Sequence, residues 1–222
     1  MRTASRLALT LGALMLLCAP AWAQRPGFGM GGVGGGLQLL ANAGVQKELG
    51  LDSAQLEKVT KYVEEARAKQ RDERQKLQDL PDDERRQKGQ ELMRASAEET
   101  QKALKDLLKP AQLQRFNQIS LQQRGVMAFA DPEVRSKLKL SDDQAQEVQS
   151  IVTAFGTESR EIFQSNQGNF EEARKQLEPL RKAKFDKVMS LLNSDQKQTY
   201  KELTGEPFEV KFEPRRPGGG GR

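Results

Sequence analysis

The chain has 222 residues, 30% of them charged, with 36 Lys and Arg against 31 Asp and Glu, one Cys, one Trp and no His. Without imidazole, and with Cys18 inside the N-terminal segment 1–23, it offers no thiolate nucleophile, Ser-His pair or imidazole-ligated metal once that segment is removed. The formal charge of +5 falls to +3 when Arg2 and Arg6 leave with the same segment, too little and too dispersed for a nucleic-acid footprint.

Arg2 and Arg6, the apolar run Leu7 to Leu17 and the small-residue site Ala21-Trp22-Ala23 together predict a secretory signal over residues 1–23, cleaved near Ala23/Gln24. The run is shorter than the about 20 residues that span a bilayer, so no membrane span is expected. A lipoprotein acylated at Cys18 is the competing reading, but Leu17 stands where such signals carry a small residue. The expected location is the periplasm or the exterior, with a mature chain that cannot form a disulfide.

Residues 24–36 are Gly-rich and expected to form a flexible leader. They contain Gly27-x-Gly29-x-x-Gly32, which binds a dinucleotide only between a strand and a helix; here the expected mature N-terminus stands immediately upstream, so no cofactor is expected. From Leu37 to Leu203 the apolar spacing is helical, and the fold class expected is all-α. Leu56, Val59, Val63 and Ala66 open a seam that continues through Gln70, Glu73, Leu77 and Leu80. Pro81 breaks it. A return helix over 82–108 carries Met93, Ala97, Thr100, Leu104 and Leu107 on one face, completing an αα-hairpin.

The pattern recurs. Val45, Leu49, Leu51, Gln55, Leu56 and Val59 reappear 89 positions later as Val134, Leu138, Leu140, Gln144, Ala145 and Val148, and Val63 and Ala66 are matched by Val152 and Phe155. At the close of each copy Leu107, Gln112 and Phe116 answer Leu191, Gln196 and Tyr200, now offset by 84. Two repeated long αα-hairpin units with short connecting helices are therefore expected, over 37–125 and 126–205. Asn42 and Asp131, the latter followed by Pro132, read as N-caps of the short helices.

The shared element is Leu, a capping residue, two free positions and Gln. Ser141 with Gln144, Asp52 with Gln55, and Asn193 with Gln196 predict capping boxes, and Lys109-Pro110 with Gln112 a weaker version. Leu51 and Leu56 predict a hydrophobic staple over the Asp52 cap.

The first hairpin tip, residues 64–91, is dense in charge of both signs and is expected to project into solvent, either as a solvated helix pair held by ion pairs such as Asp72 with Lys76 or as an arm that touches a partner. The second tip, "IFQSNQGNF", sets Phe163 and Phe170 around a polar turn: the rings either stack to close it or stand as an exposed aromatic patch, in which case they are the candidate contacts for a bound protein. Pro179 is expected to kink the return helix. Gly205 reads as a helix stop, and Phe208, Val210 and Phe212 alternate with Glu209 and Lys211 in a short extended segment ahead of a loose tail, within 206–222.

Leu-Ser/Asp-x-x-Gln at helix starts, in Leu51 to Gln55 and Leu140 to Gln144 with secondary copies at Leu108 to Gln112 and Leu192 to Gln196, resembles the LTxxQ-motif periplasmic family of Spy/CpxP-like chaperones. The likeness covers most of residues 37–205, though none of the four copies has Thr in second position and the unit stands twice. The resemblance implies a thin helical cradle, usually a homodimer, that binds partly unfolded proteins without ATP. The carboxylates sit at helical surface spacings with no pair singled out as acid and base, and no calcium loop is present, so a non-enzymatic binder without metal or cofactor is expected. Its expected partners are unfolded proteins or, alternatively, one dedicated envelope protein held by the charged arm.

Overall fold

The computed structural model describes residues 34–167 and 169–212. The expected signal segment, residues 24–33 of the leader and the tail from 213 onward lie outside them. Among the described residues there are nine α-helices, one 3₁₀ helix and no strand. They are α1 (Gly34–Leu40), α2 (Ala43–Glu48), α3 (Ser53–Gln78), α4 (Asp82–Leu107), α5 (Pro110–Arg124), the 3₁₀ helix Gly125–Ala130, α6 (Pro132–Leu138), α7 (Asp142–Ser165), α8 (Phe170–Leu191) and α9 (Ser194–Thr204).

Helices α3 and α4 run 26 residues each, about 39 Å at the α-helical rise, and pack along one another about the turn at Pro81; α7 and α8 form a second such pair. Three glycines expected in the flexible leader, Gly34 to Gly36, instead open α1. Burial of Leu37, Leu39 and Leu40 against the base of α3 and α4 supplies what helix propensity does not.

Two apolar clusters result. The first gathers Leu37, Leu39, Leu40, Val45, Leu49, Val59, Val63, Leu104, Leu108, Phe116 and Ile119. In the second, Phe129 lies at the centre: its ring stacks on Tyr200 at 4.9 Å and meets Phe185 at 6.2 Å, with Val126, Val134, Leu138, Val148, Val152 and Val188 around it. Burial raises the Tyr200 phenol to about 12. Helix α5 joins the clusters, giving Phe116 and Ile119 to the first and Leu121 to the second while packing on α9.

Some expected details differ. Leu56, the helix-side partner of the expected staple with Leu51, is 36% exposed, and the α3 seam is buried from Val59. On α4, Met93 is 47% exposed and the neighbouring Leu92 lines the crevice against Tyr62 and Ala66 instead. The Asp72–Lys76 pair does not form; the first arm is held by Lys69–Glu99 across the helices and by Arg85–Asp82, Arg86–Asp83 and Arg94–Glu98 along α4. Helix α8 runs unbroken through Pro179, where the ring removes one backbone donor.

Candidate functional site

Each repeated Gln occupies the third position of its helix, and its carbonyl oxygen accepts the N–H of the residue before the helix: Asp52 to Gln55 at 3.4 Å, Lys109 to Gln112 at 2.9 Å, Ser141 to Gln144 at 3.1 Å and Asn193 to Gln196 at 3.0 Å. The return bonds come from Gln55, Gln144 and Gln196 N–H groups to Asp52, Ser141 and Asn193 side chains. Those three boxes are complete as expected. Lys109 has no acceptor, so its box has one half only. The bond from the Gln55 N–H holds the Asp52 carboxyl below the usual carboxylate range, with a lesser pull from Lys109.

Capping is half of what these amides do. Gln55 Nε2 donates to Gln112 Oε1 at 2.8 Å while Gln112 Nε2 donates to Gln55 Oε1 at 3.1 Å, a closed amide pair between the starts of α3 and α5. Gln144 and Gln196 form the same pair between α7 and α9, at 2.9 and 2.8 Å. The remaining protons meet orphan carbonyls: Gln55 reaches Leu107 O at the end of α4, Gln144 reaches Leu191 O at the end of α8, Gln112 reaches Leu49 O and Gln196 reaches Lys139 O. One side chain therefore starts one helix, ends another and clamps a third. Every donor and acceptor of the four glutamine amides is used inside the fold, which leaves none of them to recognise a ligand. Sequence spacing shows the caps and not the clamp, because the paired glutamines lie 57 and 52 residues apart.

The arms are different. Between Val63 and Thr100 no described residue is buried, so the outer part of the first hairpin is a fork of half-covered and exposed side chains. It is clasped by polar contacts: Tyr62 to Thr100 at 3.3 Å, Gln70 to Ser96 at 2.9 Å and Lys69 to Glu99 at 2.7 Å, the last raising the Lys69 ammonium above its ordinary value. In the second hairpin Lys184 bonds Glu158 at 2.5 Å.

At the second tip the rings do not stack. Asn166 and Asn169 close the turn instead: Asn169 N–H donates to Asn166 O at 2.9 Å, the Asn166 amide donates to Ile162 O at 2.8 Å, and Asn169 Oδ1 accepts the Glu172 N–H at 3.1 Å. With the turn closed by amides, Phe163 remains 37% and Phe170 77% exposed. Phe163 lines a shallow depression of about 310 Å³ with Arg160, Gln164 and Gln167. A second depression, between α3 and α4, holds about 30 Å³.

The C-terminal segment packs back as expected, and does so on the first cluster, with Phe208 and Val210 half-buried against it. Residues that sequence reading did not single out hold its backbone. Gln122 donates to Thr204 O and Glu206 O at 2.6 and 2.8 Å and accepts the Phe208 N–H at 2.9 Å; Arg115 donates to Glu206 O at 2.9 Å and Asn42 to Lys211 O at 2.8 Å. Gly205 makes the turn into it at φ 62° and ψ −161°, a region open essentially to glycine.

Among the described residues no group of three or more His, Cys, Asp or Glu is placed to hold a metal ion, and no helix is long and apolar enough to cross a membrane. No protein-family model, curated protein or solved structure matches the chain.

Proposed function

We propose that the chain is an exported, non-enzymatic binding protein that holds partly unfolded proteins on its helical arms without nucleotide, in the manner of the Spy/CpxP-like chaperones its motif resembles. The observation that carries the reading is the division of labour in the fold: motif glutamines are consumed in clamping helices, while the arms leave Phe170 77%, Met93 47% and Phe163 37% exposed beside charges of both signs. Such a surface binds extended apolar-and-polar chains weakly and broadly, as a holdase must. The shallow depressions suit a surface binder better than a small-molecule enzyme.

Internal duplication is part of the proposal. Its support is the matched burial at an offset of 89, Leu37 with Val126, Leu39 with Ala128, Leu40 with Phe129, Val45 with Val134, Leu49 with Leu138, Val59 with Val148 and Val63 with Val152, together with Leu104 with Val188 and Leu108 with Leu192 at 84. Export to the periplasm rests on the N-terminal pattern alone.

A second reading, an envelope protein that engages one fixed partner, draws on the first arm, whose mixed charge and absence of buried residues between 63 and 100 suit a dedicated docking rod. Aggregation of several unrelated denatured proteins, followed by light scattering without nucleotide, separates the two. The holdase reading expects protection of all of them, reduced at least threefold by Phe163→Ser/Phe170→Ser with helicity unchanged. Protection of none, with capture of one species, would favour the fixed partner.

A further inference from the structure

We infer that the face of α2 and α5 beneath residues 206–212 is a binding groove for an extended peptide with apolar residues at alternate positions, and that the chain's own C-terminal strap occupies it in cis. The contacts define the ligand class. Five bonds hold four backbone groups: Gln122 and Arg115 hold Thr204 O at the end of α9, Glu206 O twice over and the Phe208 N–H, and the Asn42 amide donates to Lys211 O. Bonds from side chains to main chain read an extended backbone without regard to sequence. Selectivity then comes from the two side chains that face inward, Phe208 and Val210, while Glu209 and Lys211 stay exposed.

The site is built for this. Gln122 uses its carbonyl oxygen and one amide proton on the strap and its other proton on Thr204 O where α9 ends, and Arg115 is fixed by Glu48 at 2.6 Å, its side chain 19% exposed, so that Nη1 points at Glu206 O. The strap itself is easily exchanged. It forms no ladder with any strand among the described residues, its apolar residues are half-buried, and Phe212 is 48% exposed. A peptide presenting Phe-x-Val in trans would satisfy the same groups at no cost to the helical scaffold. The alternation marks extended segments of unfolded chains that are bound for β-sheets, with one face apolar and one polar.

This inference rests on the holdase reading only for the origin of the peptide in trans; the groove is tested apart from it. A fluorescein-labelled peptide of residues 204–212 is titrated by polarisation against the full chain and against the full-length variant Phe208→Ser/Val210→Ser, whose strap is loosened while the groove is intact. The peptide should bind the variant at least tenfold more tightly than the unaltered chain, since cis occupancy lowers the competent fraction. The same peptide with Ser for both apolar residues should bind at least tenfold more weakly, and Gln122→Ala in the loosened background should remove most of the affinity. Equal affinity for both chains, or no binding to a loosened chain of unchanged helicity, overturns the proposal. If the loosened variant fails to fold, a benzophenone-bearing peptide on the unaltered chain, at concentrations raised well over tenfold to offset cis occupancy, decides: crosslinks to α5 support the groove, and their absence sinks it. Peptide binding without suppression of aggregation would leave the groove standing and remove the holdase reading.

Discussion

Replacing Gln196 by Leu keeps the volume of a 7% exposed side chain and deletes its amide. Four bonds go: the Asn193 N–H and Gln144 Nε2 lose their acceptor, and Gln144 Oε1 and Lys139 O lose their donor. Gln144 keeps the Ser141 N–H and Leu191 O, so the groups deprived of a partner are the Asn193 N–H and the Lys139 carbonyl. A stranded buried group costs about 1–3 kcal/mol, and these two, only part-buried on the exposed residues Asn193 and Lys139, belong at the low end. The total is about 2 kcal/mol, or about 6 °C of midpoint at about 3 °C per kcal/mol for a domain of this size. Circular dichroism melts of Gln144→Leu, Gln196→Leu and the double variant close a cycle, and the amide pair predicts that the double costs about 1–2 kcal/mol less than the two singles together. Gln196→Glu sharpens the test. A carboxylate faces Gln144 Oε1 and Lys139 O with no proton to give, and acidification restores one donor, so this variant should gain stability relative to the parent as pH falls. Additive singles, or a Gln196→Leu cost below about 0.5 kcal/mol, would refute the clamp.

Other consequences follow from single positions. Lys139 sits at φ 50° in the left-handed region, and Gly50, 89 positions earlier, at φ 59°, so Lys139→Gly should raise stability by about 1 kcal/mol in urea unfolding, and Gly50→Ala should lower it by a similar amount. The Ser159 hydroxyl is buried without a partner, and Ser159→Ala should stabilise by about 1 kcal/mol; a loss of that size would show that the hydroxyl is satisfied. Gly205→Ala meets both the φ restriction and the Gln118 side chain at 2.3 Å from the added carbon, and should cost about 2 kcal/mol and release the strap, read as faster hydrogen exchange at Phe208. Tyr200 holds its proton to about 12 in the fold against 10.0 unfolded, so its contribution is complete below pH 10 and is lost as pH climbs towards 12; Tyr200→Phe should flatten that slope, which integrates to about 2–3 kcal/mol.

The sequence made the long helices α3 and α7 plain because Val59, Val63, Val148 and Val152 fall at helical spacing and the caps at Asp52 and Ser141 mark their starts. It did not show α1, since glycines at 34–36 argue against a helix and only the burial of Leu37, Leu39 and Leu40 overrules them. At the second tip, of the two arrangements the sequence left open, the ring stack gave way to two asparagine caps, local bonds that cost less order than pairing two rings across a turn. The clamp and the strap grip of Gln122 stayed hidden for a common reason. Both join residues more than 50 positions apart through amides, and an amide on a helix carries no pattern that periodicity can register.

Hydrogen exchange of the chain, alone and saturated with a chemically unfolded protein, probes the division between clamped base and presenting arms most directly. Slowed exchange should appear at the tips, around 160–175 and within 64–99, while the amides of Gln55, Gln112, Gln144 and Gln196 keep their rates. Protection gathered at those four glutamines, with the arms unchanged, would contradict the account.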